Sequence, residues 1–163
     1  MYRFNMFTTK ANEALNSAIK LAQNYGHNYV GTEHILLGLL TEGSVENALN
    51  TEGVTLDKID ELIKNEIGVG NPTRLTPDDF TPRAKRIIEL SFQIARAMRH
   101  SYVGCEHLLI ALLKEDDSYA VKFIGDCGAS ASTVLENLVN ELSSNDSNVE
   151  YQSPNSKKKS KSK

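Results

Sequence analysis

Two short segments carry most of the side chains that could do chemistry. Each holds two histidines and one glutamate at identical spacing: His27, Glu33 and His34, then His100, Glu106 and His107. Imidazole and carboxylate groups are common zinc ligands. However, six residues separate the paired histidines, which bridges a loop and a helix start with only one carboxylate nearby. We therefore predict no metal, and histidines that pack and hydrogen-bond at a helix junction.

The two segments are copies of one unit. Residues 27–40 recur as residues 100–113 at a constant offset of 73, each ending in an apolar run. A repeat of this length indicates a duplicated structural unit. Tyr29 and Tyr102 recur with it, and we predict that they lie in the core with local partners for their hydroxyls.

Each unit begins with a helix whose ends are marked in the sequence. Thr8 and Thr81 are good N-caps, and Pro82 follows at the first helical position, where a missing N–H is harmless. Gly26 is a natural residue to end the first helix. Small residues recur on the helical stripes of both copies, which predicts close packing between helices.

The Glu-His-apolar stretch forms the second helix of each unit. Thr32 can cap the first copy, whereas Cys105 replaces it and is a poor cap. Glu33 and Glu106 fall in the first turn, where the helix dipole favours a carboxylate. A short third helix and a fourth helix follow, and a two-residue insertion precedes Gly128 in the second copy.

The predicted fold is all-α, with eight helices in two pseudo-twofold-related repeats packed into one domain. The domain covers 1–143, with repeat one over about 4–68, a loop at 69–79 and repeat two over about 80–143. Residues 144–163 are rich in Ser, Asn and Lys, and we predict a disordered tail or linker.

Charge, apolar runs and cysteine content argue against a nucleic-acid-binding, membrane-spanning or disulfide-rich protein. The net charge is −3, but five lysines lie in the last seven residues, and residues 1–144 hold 13 basic and 19 acidic residues. An acidic body argues against nucleic acid as the main ligand, and a solubilising linker is preferred to a phosphate-binding tail. Without a membrane-spanning run or signal peptide, the expected location is the cytoplasm. Cys105 and Cys127 form no CxxC pair, so neither a disulfide scaffold nor a structural zinc site is expected.

The paired Phe-Thr-x-x-Ala openings and paired His-x-Tyr-Val-Gly-[Thr/Cys]-Glu-His segments resemble the Clp N-terminal domain, most closely the variant of ClpC-type AAA+ unfoldases. The resemblance implies a chaperone and proteolysis role in protein quality control. Its partners would be adaptor proteins and phosphoarginine-marked substrates, with an ATPase ring and ClpP if the chain is longer. No Walker A motif is present, so we expect neither an enzyme nor a cofactor, and a monomer in isolation.

The same resemblance implies two phosphoarginine sites. A capped helix N-terminus would bind the phosphoryl group and a glutamate the guanidinium. We pair Thr8 with Glu33, and Thr81 with Glu106, within each repeat. Cys105 is predicted to weaken the second site. The alternative is that both glutamates are only capping carboxylates.

A second surface is implied at Phe80, Arg83 and Lys85, which match a groove for cyclic peptides and adaptors in actinobacterial relatives. The alternative makes Phe80 a hydrophobic staple, with the two cations solvated.

Two other functions stay open. A stand-alone Clp N-domain protein would regulate by competing for adaptors or marked substrates. A phosphoarginine hydrolase would use Glu33 or Glu106 as a base, although no nucleophile is paired with a base in a known motif.

Overall fold

The computed structural model describes residues 1–146, which form eight α-helices. In chain order these are α1 Thr9–Tyr25, α2 Thr32–Glu42, α3 Glu46–Asn50, α4 Leu56–Glu66, α5 Pro82–Ala97, α6 Cys105–Leu113, α7 Tyr119–Asp126 and α8 Ala131–Asp146. The connection between α4 and α5 contains one 3₁₀ turn, Pro77–Asp79. The predicted all-α fold of two four-helix repeats is confirmed. No helix in the described part is long and apolar enough to cross a membrane.

The predicted tail begins inside α8, which continues to Asp146. The rest of the tail, from residue 147 onward, lies outside the described residues.

The first helix of each repeat begins and ends where the sequence predicts. Thr8 Oγ1 accepts from Ala11 N at 3.1 Å, and Thr81 Oγ1 accepts from Ala84 N at 3.0 Å. Gly26 ends α1 with φ 80°, a left-handed conformation that glycine adopts without strain.

Helices α2 and α6 form the centre of the molecule. Every residue of α2 from Thr32 to Leu40 is buried, and nearly all of α6 is. A helix that is apolar on all sides must be surrounded by other helices. Accordingly α2 packs against α1, α4, α6 and α7, and one hydrophobic cluster contains side chains from both repeats.

The two repeats are joined by backbone bridges in which the segment before the first helix of one repeat pairs with the segment before the second helix of the other. Phe7 pairs with Val103, and Val30 pairs with Phe80, as isolated bridges of parallel sense. Each partner in one bridge lies 73 residues from a partner in the other, so the pseudo-twofold exchanges the two bridges. As a result, α5 begins beside the segment that leads into α2, and α1 begins beside the segment that leads into α6.

The caps of α2 and α6 differ from the prediction. The N-cap residues are Gly31 and Gly104, so Thr32 and Cys105 are already helical. The Thr32 hydroxyl instead accepts from the Ala120 N–H in α7 at 3.1 Å. The idea that Cys105 weakens its helix start as a poor cap was therefore wrong, because neither copy uses that position as the cap.

Replacing Thr32 with valine should destabilise the protein by about 2 kcal/mol, because the buried Ala120 N–H would lose its acceptor. The measurement is the free energy of unfolding in urea. Thr41→Val is the matched control, since Thr41 is an exposed threonine of the same helix whose hydroxyl donates to the Leu37 carbonyl of its own helix. Equal losses in both variants would contradict the role given to Thr32.

Candidate functional site

A cleft of about 320 Å³ lies where α2, α5 and α7 begin. We call it the Glu33 cleft. Its walls come from both repeats and consist of Tyr29, Gly31, Thr32, Glu33, Thr81, Arg83, Asp117, Ser118 and Tyr119. A carboxylate and the N-terminus of a sixteen-residue helix therefore face the same space.

Glu33 shares its cleft with Thr81 and not with Thr8. The Thr81 N–H donates to the Val30 carbonyl at 2.9 Å, which fixes the start of α5 beside Glu33. The predicted pairing of Thr8 with Glu33 inside one repeat was therefore wrong. The physical reason is the crossing of the two repeats, which a sequence offset does not reveal.

The second site follows the same crossed arrangement. The Thr8 N–H donates to the Val103 carbonyl at 2.9 Å, which brings the start of α1 next to the segment that precedes Glu106. Lys10 occupies the repeat position of Arg83. Glu106 is only half-buried, whereas Glu33 is 1% exposed. The two sites are thus unequal in enclosure.

Glu33 is held in place by its neighbours. The Tyr29 hydroxyl donates to Glu33 Oε2 at 2.8 Å. The other carboxylate oxygen lies against Gly31, where an added Cβ would approach Oε1 to 2.7 Å. Burial raises the pKa of Glu33, while hydrogen bonds from its own backbone N–H and from Tyr29 oppose that shift. A side chain at position 31 would therefore displace the Glu33 carboxylate from this position.

Tyr29 is a wall of the site more than a core residue. Its side chain is half-buried and lines the cleft. Burial, followed by the charge of Glu33, raises its pKa, so the hydroxyl keeps its proton and remains a donor. The prediction of a local hydroxyl partner is confirmed for this tyrosine.

Sequence reasoning missed the part of the wall that comes from the connection between α6 and α7. Asp117, Ser118 and Tyr119 lie more than 80 residues from Glu33 in the sequence. The two-residue insertion of the second copy does not mark this wall, because Ser118 and Tyr119 still lie 73 residues after Val45 and Glu46 and the insertion falls between the start of α7 and Gly128.

Of the three residues of the predicted second surface, one is buried and two are accessible. Phe80 is 4% exposed, and its ring centroid lies 6.2 Å from that of Phe4. Arg83 reaches the surface, with Nε 3.8 Å from Glu115 Oε2, and Lys85 is exposed. Hence the two cations, and little of the phenyl ring, are available to a partner.

In each repeat one histidine caps the second helix and the other contacts its ring. The Gly31 N–H donates to His34 Nδ1 at 2.8 Å, so the neutral His34 ring carries its proton on Nε2. That nitrogen lies 2.8 Å from His27 Nδ1, and His27 Nε2 lies 2.8 Å from the Gly68 carbonyl. The two rings thus form a directed chain of hydrogen bonds from the start of α2 to the end of α4.

Repeat two contains the same arrangement. The Gly104 N–H donates to His107 Nδ1, and His107 Nε2 lies 2.8 Å from His100 Nδ1. Within the described residues, His100, Glu106 and His107 place possible ligand atoms within 4.8 Å of one another. A cation there would have to displace the proton that links the two rings, so the geometry favours the capping role.

Comparison with known proteins gives consistent matches. The family model of the Clp repeat (R) N-terminal domain matches residues 6–78 and 79–161. The chain is 40% identical over 147 residues to chaperone protein ClpB of Oceanobacillus iheyensis, and 39% identical over 145 residues to negative regulator of genetic competence ClpC/MecB of Bacillus subtilis. Each alignment covers 88% of this chain and 18% of the relative, so the chain spans less than a fifth of their length.

A solved structure supports the same fold. The crystal structure of the N-terminal domain of ClpD from Arabidopsis thaliana superimposes with a TM-score of 0.73 at 28% identity. The match covers 86% of this chain and 99% of that domain.

Proposed function

Since the chain belongs to the Clp repeat (R) N-terminal domain family, we propose that it recognises substrate and adaptor proteins for a Clp ATPase. The finer proposal is that it binds phosphoarginine-marked proteins, with the Glu33 cleft as the stronger site and the Glu106 site as the weaker. The observation that carries this proposal is a buried carboxylate facing a helix N-terminus across one cleft.

Phosphoarginine has a dianionic phosphoryl group bonded to a guanidinium. Glu33 supplies the charge-assisted acceptor for the guanidinium N–H groups. The first turn of α5 supplies the Arg83 N–H and the positive end of the helix dipole, since Pro82 has no N–H and the Ala84 N–H already donates to Thr81 Oγ1. Arg83, in the same turn, adds a cation for the phosphoryl oxygens.

Enclosure favours the Glu33 cleft over the Glu106 site. A charged hydrogen bond is stronger where water is excluded, and Glu33 is 1% exposed. The acidic wall residues also oppose a phosphate that has no adjacent cation. Arg83 and Lys85, on the rim of α5, give an adaptor protein a positively charged contact beside the same cleft.

The test is calorimetric titration of the full chain with free phosphoarginine. We expect Glu33→Gln to weaken binding at the tighter site about 10-fold to 100-fold, since a charge-assisted hydrogen bond is worth about 1.5–3 kcal/mol. Glutamine keeps the shape and the Tyr29 contact, so the loss isolates the charge.

Glu106→Gln is the matched control, and it should affect only the weaker binding event. Free arginine and inorganic phosphate, titrated separately, should each bind much less tightly than the conjugate. Equal binding of phosphoarginine by wild type and by the double variant would overturn the proposal.

A further inference from the structure

Residues 2–4 run along α1, and Asn5 and Met6 form a turn that leads to Phe7; we call residues 2–6 the strap. Two asparagines of α1, one turn apart, hold the backbone of the strap. The Tyr2 N–H donates to Asn16 Oδ1 at 2.7 Å, and Asn16 Nδ2 donates back to the Tyr2 carbonyl at 2.7 Å. The Phe4 N–H donates to Asn12 Oδ1 at 2.6 Å, and Asn12 Nδ2 donates to the Phe4 carbonyl at 3.3 Å.

These hydrogen bonds resemble those between two β-strands, with side-chain amides in place of the main-chain groups of the second strand. Each amide offers one acceptor and two donors. It accepts from the N–H and donates to the C=O of one strap residue, while Asn12 Nδ2 also donates to the Phe7 and Thr8 carbonyls and Asn16 Nδ2 to the Asn12 carbonyl. The residue between them, Arg3, is skipped, as in a strand whose alternate residues point toward the partner. The two asparagines therefore bind main-chain atoms of Tyr2 and Phe4, and these hydrogen bonds do not depend on the side chains of the bound segment.

The fold common to the two repeats does not need this pair of asparagines. Their counterparts 73 residues later are Lys85 and Glu89, and α5 forms equally well. Asparagine is also a poor helix former, with a propensity about 0.5–0.7 kcal/mol below that of alanine. The first repeat thus carries two unfavourable helix residues whose shared property is that they bind a backbone.

The strap side chains leave room around them. Phe4 is the anchor, with its ring centroid 6.2 Å from those of Phe7 and Phe80. Tyr2 is 38% exposed. Clefts of about 690 Å³ and 420 Å³ adjoin the strap, and Met1, Tyr2 and Glu13 line both.

We propose that the groove on α1 marked by Asn12 and Asn16 is a second peptide-binding site, distinct from the Glu33 cleft. Its occupant is an extended segment of a client protein with an aromatic side chain at the Phe4 position, and the strap holds that place until it is displaced. Recognition is by main-chain hydrogen bonds with one aromatic pocket, as in the addition of a peptide to a sheet edge.

The strap competes with a client peptide for the groove on α1, and its covalent attachment favours the strap. A short tether gives an effective concentration in the millimolar range, roughly. A peptide added to the wild type therefore binds only to the fraction of molecules whose groove is open, which lowers its apparent affinity by that fraction. A substitution that weakens the contacts of the strap should therefore raise the apparent affinity of the groove for the peptide.

The test uses fluorescence anisotropy of a labelled, acetylated peptide with the sequence Tyr-Arg-Phe-Asn-Met. Phe4→Pro removes both the N–H that donates to Asn12 and the anchoring ring, and it leaves the groove intact. We expect this variant to bind the peptide at least about tenfold more tightly than the wild type does. Adding Asn12→Ala and Asn16→Ala should abolish binding, and both changes raise helix propensity, so the helix is retained.

Two controls make the result specific. Lys85→Ala with Glu89→Ala, at the counterpart positions of α5, should leave peptide binding by the Phe4→Pro variant unchanged. A peptide with N-methyl groups on its tyrosine and phenylalanine nitrogens cannot donate to the asparagines and should not bind. Absence of binding to Phe4→Pro, or binding that survives the asparagine substitutions or N-methylation, would overturn the proposal. Phosphoarginine binding is unaffected by either outcome, so the two proposals are tested separately.

Discussion

Gly38→Ala should destabilise the protein by about 3 kcal/mol, although alanine is the better helix former. Gly38 lies at the contact of α2 with α1, and an added Cβ would overlap the Ala14 carbonyl oxygen and lie 3.0 Å from Ala18 N. These are backbone atoms of a helix and cannot rotate away as a side chain would. The two helices must separate, and the packing of the buried stripe of α1 is lost. Urea denaturation monitored by circular dichroism measures the change.

The repeat supplies a matched control for that substitution. The counterpart of Gly38 is Ala111, which is 0% exposed, so the second copy accommodates a methyl group at this position. Ala111→Gly should cost only about 1–2 kcal/mol through lower helix propensity and lost methyl burial. If Gly38→Ala were as stable as the wild type, the close approach of α1 and α2 would be disproved.

Acidification should destabilise the protein strongly, through His34 and His107. Both side chains are 0% exposed. Burial lowers the pKa of His34 to about 3 and that of His107 to about 4. An unfolded histidine takes up a proton below about pH 6.5, whereas these two stay neutral in the folded state. The free energy of unfolding therefore falls as the pH drops below 6.5.

The size of this effect follows from linkage. At pH 4.5 the two histidines together should remove about 5 kcal/mol relative to pH 7.5, with a slope approaching two protons. Glu33 acts in the opposite sense, since burial raises its pKa, and offsets part of the loss. Urea midpoints measured from pH 7.5 to 4.5 give the slope directly.

His34→Asn separates the titration from the hydrogen bond. Asparagine at this position still offers an acceptor to the Gly31 N–H but does not titrate in this range. The variant should be less stable at pH 7.5 by about 2 kcal/mol, through the lost contact with His27 and imperfect packing. Its pH slope should fall to about one proton. A slope equal to that of the wild type would show that His34 is not the group that titrates.

Several features could be predicted from local sequence because local chemistry causes them. Thr8 and Thr81 cap their helices because each hydroxyl reaches an N–H three residues on, a contact that needs no distant partner. Gly26 ends α1 for an equally local reason. The paired motifs also gave the family, which the match over both repeats confirms.

The N-cap of α2 could not be predicted from the local sequence. Thr32 has the right chemistry for an N-cap, and an N-cap was predicted there. The fold places α7 against it, and the hydroxyl bonds to Ala120 instead. His34 takes over the capping role because His27 orients its ring, an arrangement that depends on the end of α4 through the Gly68 carbonyl.

The sequence by itself determined the helices, the duplication and the residue types of the site, because caps, periodicity and a fixed offset act over a few residues or repeat along the chain. Only the tertiary structure decided which residues meet. Glu33 faces Thr81 across the repeat boundary, under a wall that ends at Tyr119. The reason is the pair of crossed bridges, Phe7 with Val103 and Val30 with Phe80, whose hydrogen bonds join segments far apart in the chain.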